Sequence, residues 1–219
     1  MFESFCRRFF GSYCRLTVEG LDHLPATPFL LCSNHASHID SAALMTASGR
    51  RFRRFALLGA SDYFFSSPGV RWSVSPLMNV IPIDRHPGAR SLESCLESCR
   101  RFLKETGGTL ILYPEGTRSP DGEMQPFKTG AAFFASELGL PLVPAYIDGS
   151  HRILPKRSSV PRPGSLTVRF GKPLALSACN GESVRVHRRI IVEQLAHEIH
   201  LLSLDRHAHD LLVALEQKG

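Results

Sequence analysis

The sequence predicts an α/β fold: a single domain built on a mainly parallel, mixed sheet with helices on both faces, an amphipathic helix at its start and helices at its end. Short apolar runs of strand length, at 28–32, 55–58, 80–83, 109–113 and 142–147, alternate with helix-length segments, the signature of strand-helix-strand units. The run Thr109-Leu110-Ile111-Leu112-Tyr113 is apolar at every other position and between, as a strand covered on both faces is. With 219 residues, 43% of them hydrophobic, the chain suffices for one well-buried domain and is short for two. Residues 1–20 are expected to form the N-terminal helix, 21–180 the α/β core and 181–219 the C-terminal helical segment.

In chain order, Phe2, Phe5, Phe9, Tyr13 and Leu16 recur at steps of three and four with Arg7, Arg8 and Arg15 off that line, which predicts an amphipathic helix over 2–16. Its aromatic face packs either on the core or into a membrane interface. The first strand, Pro28 to Cys32, runs into a polar turn and a helix from Asp40 to about Ser48. Arg50, Arg51, Arg53 and Arg54 lead into a second strand at 55–58. Residues 61–79 hold Tyr63, Phe64, Phe65 and Trp72 among turn formers and read as short helices around an apolar surface. Val80 to Ile83 is a third strand ending at Asp84-Arg85. A helix over 88–105 closes at Gly107-Gly108, and the 109–113 strand runs into Pro114-Glu115-Gly116-Thr117-Arg118-Ser119. A helix opening at Thr129 puts Lys128 beside free backbone donors, a natural anion site. Leu142–Ile147 and Leu166–Phe170 complete the strands. Residues 182–217 are helical, with Ile190, Ile191, Leu195, Ile199, Leu202, Leu211 and Leu215 as the inner face.

The formal charge of +6 favours an anionic partner: phosphate-bearing substrate, lipid headgroups or nucleic acid. No run approaches the roughly eighteen apolar residues of a membrane-spanning helix, so a cytosolic protein, or one peripheral to a membrane, is expected. Six cysteines (Cys6, Cys14, Cys32, Cys95, Cys99, Cys179) form no Cys-x-x-Cys pair and read as reduced thiols in or near the core.

The stretch Ser33-Asn34-His35-Ala36-Ser37-His38-Ile39-Asp40 is the candidate site, because polar residues at the end of a buried strand sit where such sheets carry function. A neutral imidazole takes a proton from a hydroxyl better when a carboxylate holds its other nitrogen. His35 and Asp40 are the natural pair, since five residues of separation let the carboxylate fold back onto the ring. Two other readings stand beside it: Ser37 or Asp40 as a helix cap, and a metal held by His35, His38 and Asp40 with a further ligand.

Asn34-His35-Ala36-Ser37-His38-Ile39-Asp40 resembles the Asn-His-x-Ser-x-x-Asp block of the glycerophospholipid acyltransferases, the family that includes 1-acylglycerol-3-phosphate acyltransferase. Ile81-Pro82-Ile83-Asp84-Arg85 is similar to its second block, Tyr113 to Ser119 to its third, and Leu142-Val143-Pro144 to its fourth, in the family's order. Asn79 stands where many members have glycine, and Ala60 to Phe65 lacks the lysine that many carry. The resemblance implies acyl transfer from an acyl thioester, on coenzyme A or acyl carrier protein, to a lysophospholipid hydroxyl, with no cofactor beyond that co-substrate. It implies His35 as general base, Asp40 as the group that holds its tautomer, and Arg85, Glu115, Gly116, Thr117, Arg118 and Lys128 around the acceptor. An acceptor of this kind implies peripheral attachment at the cytoplasmic face of a membrane. The competing readings are another lysolipid or lipid-like alcohol as acceptor, a thioesterase or esterase using the same histidine with water, and a basic nucleic-acid-binding module. The last has no recognition motif here, and no nucleic-acid partner is expected.

Overall fold

The computed structural model describes residues 1–26, 28–60, 78–84, 88–156, 158–176 and 183–204. Among the described residues seven strands form one sheet: β1 (Leu16–Glu19), β2 (Leu30–Ser33), β3 (Phe55–Ala60), β4 (Asn79–Ile83), β5 (Thr109–Leu112), β6 (Leu142–Asp148) and β7 (Leu166–Phe170), in the order β1-β7-β6-β2-β5-β3-β4. β2 to β6 run mutually parallel, β7 is antiparallel to β6, and β1 lies parallel to β7 at the edge. The helices are α1 (Phe2–Arg8), α2 (Asp40–Ala47), α3 (Ala89–Thr106), α4 (Gly130–Leu138), α5 (Ser150–Ile153) and α6 (Val184–Ser203).

Successive strand residues point to opposite faces and so divide the core in two. Phe29, Leu31, Phe55, Leu57, Ile111, Val143 and Ala145 pack with α2 and with Cys6, Phe10 and Cys14 of the N-terminal segment. Leu30, Cys32, Ala56, Leu58, Leu110, Leu112 and Leu142 pack with α3, α4 and α6 on the other face. A strand apolar at every position is therefore required, and the continuous apolar runs of the sequence supply it. Gly107, at φ +55, ends α3, and Ser183 caps α6 by accepting the N–H of Val186.

Two expectations need correction. The N-terminal helix does not reach Leu16. It passes from α1 into a π-helical turn at Phe9–Tyr13, and Arg15, at φ +41, turns the chain into β1. Leu16 thus belongs to a strand that the helical spacing concealed. On α6, Ile190 is 38% exposed while Val192 and Leu201 are buried beside Ile191, Leu195 and Ile199. The inner face is rotated because α6 must cover both α4 and β6. The aromatic stretch within 61–77, Arg85, Cys179, Leu211 and Leu215 lie outside the described residues. Cys6, Cys14, Cys32, Cys95 and Cys99 are buried and free, as expected, and burial pushes the Cys6 and Cys14 thiols up to about 11. No helix among the described residues is long and apolar enough to cross a membrane.

Candidate active site

Parallel strands end on a common edge, and β6, β2 and β5 are neighbours, so the segments that leave β2 and β5 meet there. The first carries Asn34 to Asp40; the second carries Tyr113 to Ser119. β4 ends on the same edge at Ile83, two residues before Arg85.

Asn34 lets the chain leave the sheet without stranding its neighbour. Its side-chain oxygen accepts the N–H of Ile147 at 2.8 Å, and its amide nitrogen donates to the carbonyl of Ile147 at 3.0 Å. A side chain thereby continues the β2–β6 ladder for one more residue, and the backbone at His35 is free to turn. Both polar groups of that backbone go to the third block instead. The His35 N–H donates to Glu115 Oε1 at 2.7 Å, and its carbonyl accepts the N–H of Ser119 at 2.7 Å.

The imidazole is held as the five-residue spacing predicted. His35 Nδ1 lies 2.8 Å from Asp40 Oδ2, and that oxygen also accepts the N–H groups of Ala36 and Ser37, each at 2.8 Å. Asp40 is fully buried, and Oδ1 makes no hydrogen bond. A carboxylate can only accept, so Nδ1 carries the proton and Nε2 is left with a lone pair. The helix-cap reading of the turn does not fit. No side chain caps α2, and Ser37 Oγ donates to the Leu154 carbonyl at 2.7 Å. Among the described residues no group of three or more His, Cys, Asp and Glu could hold a metal.

One face of the imidazole is covered by a residue that the sequence marked as the end of a strand and the start of the third block, with no role of its own. The ring of Tyr113 stacks on His35 with centroids 3.8 Å apart and planes 11° apart, and its hydroxyl lies 2.8 Å from Ser41 Oγ. Burial, with the Asp40 charge adding to it, holds the Tyr113 phenol well above its usual range, so it stays protonated.

Glu115, expected among the acceptor-binding groups, brackets the site from within. Its second oxygen accepts the N–H of Gln125 at 3.0 Å, and the residue is only 3% exposed. Burial pushes its carboxyl up to about 7, opposed by the two backbone donors. Gly116 and Lys128 do come together. At φ +71 Gly116 has a conformation that side chains disfavour, and a Cβ there would stand 3.0 Å from Lys128 Nζ. The backbone pairs that bond Gly116 to Tyr113 and Lys128 to Pro114 hold this approach. Thr117 and Lys128 face solvent, and Arg118 is half-buried with its carbonyl accepting from Lys156 Nζ at 2.8 Å. Asn79, the unusual residue at the head of β4, donates to the carbonyl of Phe55 at 2.9 Å and thus fastens β4 to β3.

A model of the acyltransferase family matches residues 15–148, which contain His35, Asp40, Tyr113, Glu115, Gly116, Arg118 and Lys128. The chain is 33% identical over 165 residues to a chloroplastic 1-acyl-sn-glycerol-3-phosphate acyltransferase of Brassica napus, covering 74% of this chain and 46% of that protein. It is 34% identical over 165 residues to one of Arabidopsis thaliana, covering 74% and 44%. The chain thus spans about half the length of these curated relatives. Among solved structures, the crystal structure of the 1-acyl-sn-glycerophosphate acyltransferase of Thermotoga maritima superposes with a TM-score of 0.63 at 26% identity, covering 88% of this chain and 76% of that one.

Proposed function

The chain belongs to the acyltransferase family, and from that premise we propose that it moves a fatty acyl group from an acyl thioester to the free hydroxyl of 1-acylglycerol-3-phosphate. The observation that carries the proposal is the 2.8 Å contact between His35 Nδ1 and the fully buried Asp40, which leaves Nε2 as the acceptor for the hydroxyl proton. As Nε2 takes that proton, the acceptor oxygen attacks the thioester carbonyl carbon. A C–O bond forms, the C–S bond breaks, and the proton passes from the imidazolium to the departing thiolate. The positive charge that develops on His35 faces a buried carboxylate half of which lacks a hydrogen bond, so their attraction strengthens as the reaction proceeds. The transfer is direct and needs no acyl-enzyme.

Arg85, Arg118 and Lys128 supply positive charge for the acceptor phosphate, with the guanidinium forks suited to paired oxygens. Gly116 lets the backbone approach, and Thr117 adds a hydroxyl at the exposed rim. Glu115 acts through His35 by holding its backbone. The amphiphilic acceptor resides in a bilayer, and the rings of Phe5, Phe9 and Tyr13 stack in a row along the N-terminal segment, with Phe5 64% and Tyr13 39% exposed. That row, beside the exposed Arg8 and Arg15, is the surface that meets the membrane interface.

The test is mass spectrometry of products from purified protein given acyl-coenzyme A or acyl-carrier protein with 1-acylglycerol-3-phosphate, other lysophospholipids or monoacylglycerol. Phosphatidic acid and free thiol in equal amounts support the proposal and identify the donor. Free fatty acid formed equally with and without any acceptor would replace it with a thioesterase.

A further inference from the structure

A hydrogen bond from Nδ1 to one carboxylate oxygen fixes a point on the His35 ring and leaves the ring free to swing about that point. The structure closes off the swing. Tyr113 lies flat against one face of the imidazole, with 3.8 Å between centroids and 11° between planes, so a tilt toward that side meets the phenol ring. Tyr113 is itself anchored at its far end, where its hydroxyl lies 2.8 Å from Ser41 Oγ. Ser41 follows Asp40 directly, so the first turn of α2 presents both the carboxylate that holds the ring edge and the hydroxyl that holds the ring's floor.

We propose that Tyr113, tethered by Ser41, is a positioning residue that sets the plane of the His35 ring and aims Nε2 during acyl transfer. This rests on the reading of His35 as the base. Two physical effects give the stack its value. Placing a base off its line of attack by about 1 Å can cost on the order of a hundredfold in rate. An aromatic face also carries negative quadrupole, so it attracts the imidazolium more than the neutral ring, and the gain arises only as the proton moves.

The experiment uses the full chain with Tyr113→Leu, Tyr113→Phe and Ser41→Ala, and with His35→Ala as the reference. It has two readouts: steady-state kinetics with acyl-coenzyme A and 1-acylglycerol-3-phosphate, and proton NMR of the carbon-bound ring protons of His35, assigned by their loss in His35→Ala. Tyr113→Leu should lower kcat by about 10- to 100-fold with KM for both substrates little changed. Its His35 ring protons should move downfield as the shielding ring is removed. Tyr113→Phe keeps the ring but loses the same tether to Ser41, so it should match Ser41→Ala, with kcat lowered about three- to tenfold and the upfield signals kept but broadened. Ser41→Ala, which keeps the ring in place and removes only its tether, should lower kcat by about three- to tenfold and broaden or partly shift the same signals.

If Tyr113→Leu and Ser41→Ala keep wild-type kcat while His35→Ala is inactive, the positioning role is overturned and the base remains. If His35→Ala retains full activity, the base assignment itself fails and takes this proposal with it. Should Tyr113→Leu not fold, Ser41→Ala and Tyr113→Phe still decide, since a purely structural tyrosine would alter stability without a selective fall in kcat.

Discussion

The carboxylate of Glu115 accepts the backbone N–H of His35 at 2.7 Å, so two motif blocks 80 residues apart share one buried hydrogen bond. Burial holds that carboxyl at about 7 in the fold against 4.5 in the open chain. Between those pH values the folded protein keeps a proton that the unfolded chain has released. The stabilisation is thus fully present below about pH 4.5 and is lost as pH rises to about 7, a change on the order of 3 kcal/mol. Denaturant unfolding of wild type and Glu115→Gln at pH 4.5, 6 and 8 should show the wild-type advantage shrinking over that interval. A difference independent of pH would count against the buried, titrating carboxyl.

Removing the base should cost about 10² to 10⁴ in kcat for His35→Ala, with little change in His38→Ala. For the carboxylate the informative change is Asp40→Asn. Asp40→Ala would orphan the N–H groups of Ala36 and Ser37, at roughly 1–3 kcal/mol each, and confuse catalysis with folding. Activity in His35→Ala alongside a dead His38→Ala would move the base to the other histidine.

Charge-assisted contacts to the acceptor phosphate are each worth about 1.5–3 kcal/mol, so Arg85→Ala, Arg118→Ala and Lys128→Ala should each raise the acceptor KM by about ten- to a hundredfold. Arg118→Lys should rescue only partly, because an ammonium lacks the planar fork. Equal turnover of 1-acylglycerol-3-phosphate and monoacylglycerol by the wild type would remove the phosphate site.

Cutting the chain before Thr17 would also strip Cys6, Phe10 and Cys14 from the core, so membrane attachment is tested by point changes. Phe5→Ser combined with Tyr13→Ser should weaken co-sedimentation with anionic vesicles while leaving the thermal midpoint nearly unchanged. Arg8→Ala and Arg15→Ala should each remove about 1 kcal/mol of binding at low salt and little at high salt. Wild-type binding by the double serine variant would place the attachment on another surface.

The sheet was legible where burial is symmetrical: Leu110 to Leu112 and Leu142 to Val143 are apolar because both faces are covered. β1 was not, because Leu16 continues the spacing of Phe9 and Tyr13, and an edge strand that is half solvated has no run to betray it. The His35 and Asp40 pairing is local in the chain and could be read from five residues. The bracket at Glu115 and the floor at Tyr113 could not. Their partners lie far off in sequence and depend on β2 and β5 being neighbours, which no periodicity encodes. Asn34 carried a signal in hindsight: an amide directly beyond a buried strand is the side chain that can extend a ladder.

The position of β1 also constrains when the protein can be finished. Leu16 pairs with Leu166, and among the described strands β1 has β7 as its neighbour, made about 150 residues later. At translation rates of about 5–20 residues per second, roughly 8–30 s pass between the two strands leaving the peptidyl-transferase centre. During that interval the parallel strands β2 to β6, which carry the His35 turn and the Glu115 block, are made. β1 is therefore among the last of these strands to be paired, although it is made before all the others.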